Sequence, residues 1–262
     1  MTFNFTDKTF GSPFDQVKQI DVPQKTGNIK RVEVVDKLKQ LGFEVGKNLS
    51  LGNFDQIGEY TARKNRDPSS ELYRTAGCFF RPNYERGLLL YALVRHYKPE
   101  TVLEIGFGRG YGTLCIAMAM HENEKGTVTT VDPNLNEDHI KRLSQSYPQV
   151  WFPRINFVKE TSNAFFANQA EEKYGIIFLD GDHRYETVKS DWNYSENRFE
   201  HAIVFDDYHM PDVNQKDIEV ASVVDYIEGY EKELIITDRR IFLDDRKLTS
   251  DINYGMAVLT RK

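Results

Sequence analysis

An α/β fold built on a mostly parallel sheet of seven strands is the architecture this sequence predicts, and three observations predict it. Short β-branched and aliphatic runs alternate with helical stretches from Thr101 onward, the pattern of parallel strands whose connecting helices cover both sheet faces. The last two strand-like runs, 234–237 and 256–259, have no helical stretch between them, so they are expected to pair antiparallel as a terminal β-hairpin. The run Thr101–Ile105 leads into Gly106, Gly108, Gly110 and Gly112 and then into an apolar, unbroken stretch at 114–120. A strand passing through a glycine loop into a helix brings backbone N–H groups and a helix N-terminus against a ligand.

Two regions follow from this pattern: an N-terminal arm and helical cap over residues 1–80, and the α/β domain over residues 81–262. Residues 1–30 are polar, with Phe3, Phe5, Phe10 and Phe14 scattered among Gly and Pro. They read as an extended arm that packs on the body or on a second subunit, which would make the protein a homo-oligomer. Val34, Leu38 and Leu41 fall at i, i+4 and i+7, predicting an amphipathic helix over 31–41 that ends at Gly42. A short helix is expected over 55–67, stopped at Pro68, with another opening at Ser69.

The segment Arg81-Pro-Asn-Tyr-Glu-Arg86-Gly leads into an apolar helix at 88–94, read as packing. After the glycine loop come a strand at 127–131 ending in Asp132, a helix at 137–146, and a strand at 155–158 followed by Glu160-Thr-Ser162 and a helix. A strand at 176–179 ends in Asp180-Gly-Asp182-His183 and leads to a helix reaching about 192. A strand at 202–205 ends in Asp206-Asp207, and Val220, Val224 and Ile227 mark one face of a helix over 217–227.

The glycine loop lacks the dinucleotide spacing G-x-G-x-x-G, because Tyr111 and Thr113 stand where the third glycine would be needed. Four consecutive strands instead place an acid at their carboxyl ends: Glu104, Asp132, Asp180 and Asp206, the last doubled by Asp207. Open α/β sheets bind ligands at that edge. A carboxylate at Asp132 can accept both hydroxyls of a ribose, in a nicotinamide cofactor or in S-adenosylmethionine alike.

Asp180, Asp206 and Asp207 would repel if buried together unpaired, and a hard divalent cation such as Mg²⁺ resolves that repulsion with oxygen ligands. They are the expected metal ligands, with Asp182 either replacing one of them or capping the next helix. His183, three residues after Asp180, is placed to take a proton from a metal-activated hydroxyl. Its alternative is a helix-start His bonded to a carbonyl, and His209 is the rival base. A divalent cation beside His183 is expected to move its ionisation below the usual value.

The form Glu104-Ile-Gly-Phe-Gly-Arg-Gly resembles the first motif of class I S-adenosylmethionine-dependent methyltransferases. That resemblance implies a Rossmann-like domain in which Glu104 orients the loop while Gly106, Gly108 and Gly110 cover the methionine part of the cofactor. It adds contacts at Tyr111 and Asp180, places Ser162 against the adenine (its plain alternative being a helix cap), and puts Gly112 where many relatives carry Ser, with Thr113 as substitute. Asp180-Gly-Asp-His183 followed by Asp206-Asp207-Tyr208 is similar to metal-dependent O-methyltransferases, the group of macrolide-sugar O-methyltransferases and cephalosporin-hydroxylase-like proteins. The likeness covers residues 81–260 and implies metal-dependent methyl transfer to a hydroxyl of a small-molecule acceptor: a sugar, a glycoside or a polyphenol.

A net charge of −6 argues against nucleic acid as partner. No apolar stretch approaches the roughly 20 residues of a membrane span. The N-terminus lacks a basic and apolar leader, and the cysteines, Cys78 and Cys115, make no disulfide framework. A cytoplasmic protein is the expectation. Two rival functions stand beside methyl transfer: an NAD-dependent oxidoreductase or epimerase, which the missing glycine disfavours, and a non-catalytic or hydroxylase-like protein on the same fold.

Overall fold

The computed structural model describes residues 29–44, 47–49, 84–169, 172–209, 219–237 and 254–262. The helices expected over 55–67 and from Ser69, and most of the N-terminal arm, lie outside the described residues. One sheet of eight strands organises the rest: β1 (Lys30–Glu33), β2 (Thr101–Ile105), β3 (Thr127–Val131), β4 (Ile155–Val158), β5 (Tyr174–Leu179), β6 (Phe199–His209), β7 (Tyr230–Ile236) and β8 (Tyr254–Arg261). Their spatial order is β1-β7-β8-β6-β5-β2-β3-β4.

The helices are α1 (Val34–Gln40), α2 (Tyr84–Tyr97), α3 (Tyr111–Glu122), α4 (Glu137–Ser146), α5 (Ser162–Asn168), α6 (Tyr185–Ser195) and α7 (Val220–Val224). The helix expected over 31–41 begins only at Val34. The residues before it form β1, an eighth strand that extends the expected seven by pairing parallel to β7, with Val32 opposite Ile235. Val32 and Val34 are buried there, and Glu233 of β7 pairs with Lys30 and Lys37. Burial of Val32 against the sheet edge outweighs the helical expectation at 31–33, while Lys30 falls in the expected arm.

β8 runs antiparallel to both β7 and β6, so the terminal hairpin forms as expected. The core lies in two layers. Leu88–Val94 of α2 and Leu114–Met120 of α3 cover one sheet face, and Phe165, Val188, Trp192 and Val224 cover the other. The apolar stretch of α3 is buried on all sides, which is why it shows no amphipathic period in the sequence.

The parallel strands β6, β5, β2 and β3 are neighbours, so their carboxyl ends share one edge. β2 pairs with β5 on one side and β3 on the other, and the chain order reverses there. A crevice opens at such a reversal, outside the strand ends.

Candidate functional site

Glycine loop and acid cluster meet at that reversal. Gly106, Gly108 and Gly110 all have positive φ (96°, 52° and 84°), a region other residues enter only with strain. Gly106 donates its N–H to Val131 O at 2.8 Å, and a Cβ on it would collide with the carbonyl of Asp180. Loop and β5 end are therefore in direct contact. A Cβ at Gly108 would meet nothing within 4 Å, so the loop faces open space where a ligand can lie against bare backbone.

Asp132 closes this loop. Its Oδ2 accepts from the N–H groups of Phe107 and Gly108, both at 3.1 Å, and its Oδ1 accepts from Asn134 N at 2.7 Å. A carboxylate offers about four lone-pair sites, so holding the loop leaves capacity for a ribose hydroxyl.

Glu104 is 1% exposed and accepts from the Thr113 hydroxyl. Thr113, expected as a cofactor contact, is itself fully buried against Glu104. A Cβ on Gly112 would lie 2.7 Å from Glu104 Oε1, which explains Gly at a position where Ser was expected from the resemblance: the helix must pass close to this carboxyl. Tyr111, half-buried at the start of α3, packs against Gly87 of α2.

Burial pushes the Glu104 carboxyl up to about 8 from an ordinary 4.5, the Thr113 hydrogen bond opposing only in part. The folded protein thus keeps a proton that the unfolded chain releases, and stability falls as pH rises from about 4.5 towards 8. Glu104→Gln, which stays neutral, is expected to flatten this fall and to be more stable than the parent at pH 8 by a few kcal/mol, at roughly 1.4 kcal/mol per pH unit. Urea midpoints at pH 5 and pH 8 check it; parallel pH slopes in the two proteins would show that Glu104 is ionised in the fold.

The acid cluster depends on an irregularity in β6. Successive strand residues point to opposite faces, so Asp206 and Asp207 would normally diverge. The register with β8 shifts between Phe205 and Tyr208, and Asp207 takes φ 53°. This bulge turns both carboxylates to one place, at the cost of strain in a non-glycine residue. There Arg86 donates one guanidinium nitrogen to Asp206 Oδ2 and another to Asp207 Oδ1, the latter at 2.6 Å. No role for Arg86 follows from the sequence, where it stands in the lead-in to the packing helix at 88–94. A cation one residue before Gly87, where the lead-in helix must approach closely, was the signal available: a Cβ on Gly87 would lie 2.7 Å from Cys115 Sγ of α3.

His183 Nδ1 lies 3.3 Å from Asp207 Oδ2, and Nε2 lies 3.6 Å from Asp180 Oδ1, buried with no hydrogen-bond partner. Desolvation lowers the imidazole's affinity for a proton, but the nearby carboxylates of Asp180 and Asp207 outweigh it, and the net direction is upward. The downward direction expected from the sequence rests on a metal absorbing the carboxylate charge; Arg86 alone does not absorb it.

Asp182 belongs elsewhere. It accepts from Arg184 N at 3.1 Å and pairs with the Arg184 guanidinium, which holds it at about 2, and so it shapes the turn into α6. Thr161, not Ser162, caps α5, accepting from Ala164 N at 3.3 Å. Ser162 instead bonds the buried carboxyl of Asp191. His209 ends β6, and its side chain lies outside the described residues.

Asp206 is 1% exposed, and no donor reaches its Oδ1. Asp180 is near enough to exchange a hydrogen bond with it, and burial with these like charges drives the Asp206 carboxyl well above its usual range. An all-oxygen set with excess negative charge suits a hard divalent cation. As they stand, however, no three His, Cys, Asp or Glu side chains converge as a metal-holding group among the described residues, because Arg86 holds two of the three carboxylates.

A family model described as a methyltransferase domain matches residues 103–208, from β2 through the acid pair of β6. A curated relative from Mycobacterium sp. (strain JLS), provisionally named an O-methyltransferase, is 27% identical over 96 residues, which is 37% of this chain and 43% of that protein. The match therefore spans less than half the relative's length. Among solved structures, the O-methyltransferase TomG of Streptomyces achromogenes, in complex with S-adenosylmethionine, aligns with TM-score 0.52 and 11% identity over 87% of this chain and 96% of that one. The O-methyltransferase of Bacillus cereus, in complex with S-adenosylhomocysteine, aligns with TM-score 0.52 and 14% identity over 87% and 97%. At such identities the likeness is one of fold, and the fold is the mostly parallel, Rossmann-like methyltransferase sheet with an antiparallel C-terminal strand pair.

Proposed function

We propose that this chain, whose residues 103–208 match a methyltransferase-domain model, is an S-adenosylmethionine-dependent O-methyltransferase that acts on a small-molecule hydroxyl. The observation that carries the reading is the contact between Gly106 and the carbonyl of Asp180. It sets the cofactor loop directly beside the cluster that would handle the acceptor, so a methyl group and a hydroxyl can be brought into line without a large motion.

In this reading the glycine loop lies along the methionine portion of the cofactor, and Asp132 receives the ribose hydroxyls. Ser162, fixed by Asp191, stands at the adenine end. His183 takes the acceptor's proton at Nε2 while Asp207 orients the ring through Nδ1. A divalent cation, Mg²⁺ by its preference for oxygen, would be held by Asp180, Asp206 and Asp207; when bound it supplies charge that acidifies the acceptor hydroxyl. A sugar, glycoside or polyphenol hydroxyl is the proposed acceptor class.

Asp132→Ala is expected to weaken S-adenosylmethionine binding by roughly 2–3 kcal/mol, through lost ribose bonds and a loosened loop. Unchanged affinity in a calorimetric titration would remove Asp132 from the cofactor site. The reaction is tested by incubating metabolite extracts with the protein, Mg²⁺ and methyl-labelled S-adenosylmethionine. Mass spectrometry should find labelled products whose formation stops when chelator is added. Labelled products that form equally with chelator present would uphold methyl transfer and exclude the metal.

A further inference from the structure

The buried face of α4 carries a polar side chain where an apolar one would pack. Its buried residues are His139 and Leu143, one turn apart. The Nε2 atom of His139 lies 3.2 Å from the carbonyl oxygen of Arg109 in the glycine loop. A carbonyl only accepts, so Nε2 carries the proton and donates. The next N–H along the loop, that of Gly110, donates to Phe107 O at 2.8 Å. The peptide between Arg109 and Gly110 is therefore tied at both ends, just where Gly110 opens α3 with φ 84°.

Phe107 completes the same clamp. Its buried ring lies edge-on to Phe157 of β4 and to His139, with centroids 5.6 and 6.0 Å away. A Cβ on Gly110 would lie 2.8 Å from Phe107 Cζ, so the turn closes over the ring only with glycine there. At the start of the loop Asp132 holds the N–H groups of Phe107 and Gly108. Both anchors, Asp132 and His139, belong to one braced stretch of chain. Asp132 accepts from Asn134 N through its carboxylate and from Leu135 N through its carbonyl, and Asn136 accepts from His139 N.

We propose that His139 is a positioning residue of the cofactor site: together with Asp132 it grips the glycine loop from both ends and presents it, already shaped, to the methionine portion of S-adenosylmethionine. This rests on the methyltransferase reading of the loop. His139 acts through the Arg109 carbonyl and touches no ligand. A loop fixed before binding loses little freedom when the ligand arrives, so the grip is expressed as affinity. The ribose and adenine contacts at Asp132 and Ser162 do not run through that bond.

Calorimetry with two probes tests this: S-adenosylmethionine, titrated directly, and methylthioadenosine, which lacks the amino-acid portion, titrated in competition with it. His139→Phe, which fills the space without a donor, is expected to weaken S-adenosylmethionine binding about 10-fold, the scale of one lost hydrogen bond, and methylthioadenosine binding by less than about 2-fold. His139→Gln, whose amide N–H reaches as far as Nε2, should keep parental affinity for both. His139→Asn, one methylene shorter, should behave as His139→Phe and stands in if that variant does not fold. Parental affinity for S-adenosylmethionine in a folded His139→Phe or His139→Asn protein would overturn the proposal. Equal weakening of both probes would do the same, as would a His139→Gln protein as weak as His139→Phe, since each would make His139 a packing residue of α4. A parent protein that binds neither probe sinks the methyltransferase reading itself, and this inference with it.

Discussion

Replacing His183 with alanine is expected to lower kcat by about 10²–10⁴-fold while S-adenosylmethionine binding persists, the usual worth of a positioned general base. In free energy that is about 3–5 kcal/mol of lost transition-state stabilisation. The expectation rests on geometry: Nδ1 faces Asp207 at 3.3 Å, so donation there leaves the lone pair on Nε2, which is buried and has no partner. The backbone supports the position, since Glu219 N donates to the His183 carbonyl at 2.8 Å. Added imidazole should restore part of the rate, because a small base can enter the space the ring leaves. A His183→Ala enzyme with parental kcat would mean that the acceptor is activated without this ring, and His183 would be a structural residue of the turn.

Gly106→Ala is expected to be the most damaging single-methyl change in the domain. The added Cβ meets the Asp180 carbonyl and the Gly181 nitrogen at a φ of 96°. Backbone cannot yield as a flexible side chain can, so overpacking and left-handed strain together cost roughly 3–5 kcal/mol. That is a large part of the roughly 5–15 kcal/mol by which domains are stable. Denaturant midpoints measure the loss. Gly108→Ala provides the comparison: its Cβ meets open space, so stability should fall by only about 1–2 kcal/mol from strain. Equal losses at both positions would mean that the loop and the β5 end are not in contact.

The parts of the fold set by local pattern were legible in the sequence. β2, β3, β4 and α4 occupy the expected residues because each is bounded by its own breakers and caps, as Asn136 caps α4 through His139 N. β1 was not legible: Lys30 falls in the expected arm and 31–33 in the expected helix, and only the distant β7 makes them a strand. The acids of the site were visible as strand-end residues. Their arrangement was not, because the bulge that joins Asp206 to Asp207 depends on the register between β6 and β8. Arg86 was missed for the same reason, being 120 residues from Asp206 along the chain. Asp182 could not be told from a cluster member until its bond to Arg184 was visible.

Calorimetric titration of the protein with S-adenosylmethionine, S-adenosylhomocysteine and NAD, each in turn, decides which cofactor the glycine loop serves. One-to-one binding of the first two is expected, with competition between them, marked weakening by Asp132→Ala, and no binding of NAD. Binding of NAD with no heat from either S-adenosyl compound would contradict that expectation, and would assign the glycine loop and Asp132 to a nicotinamide cofactor.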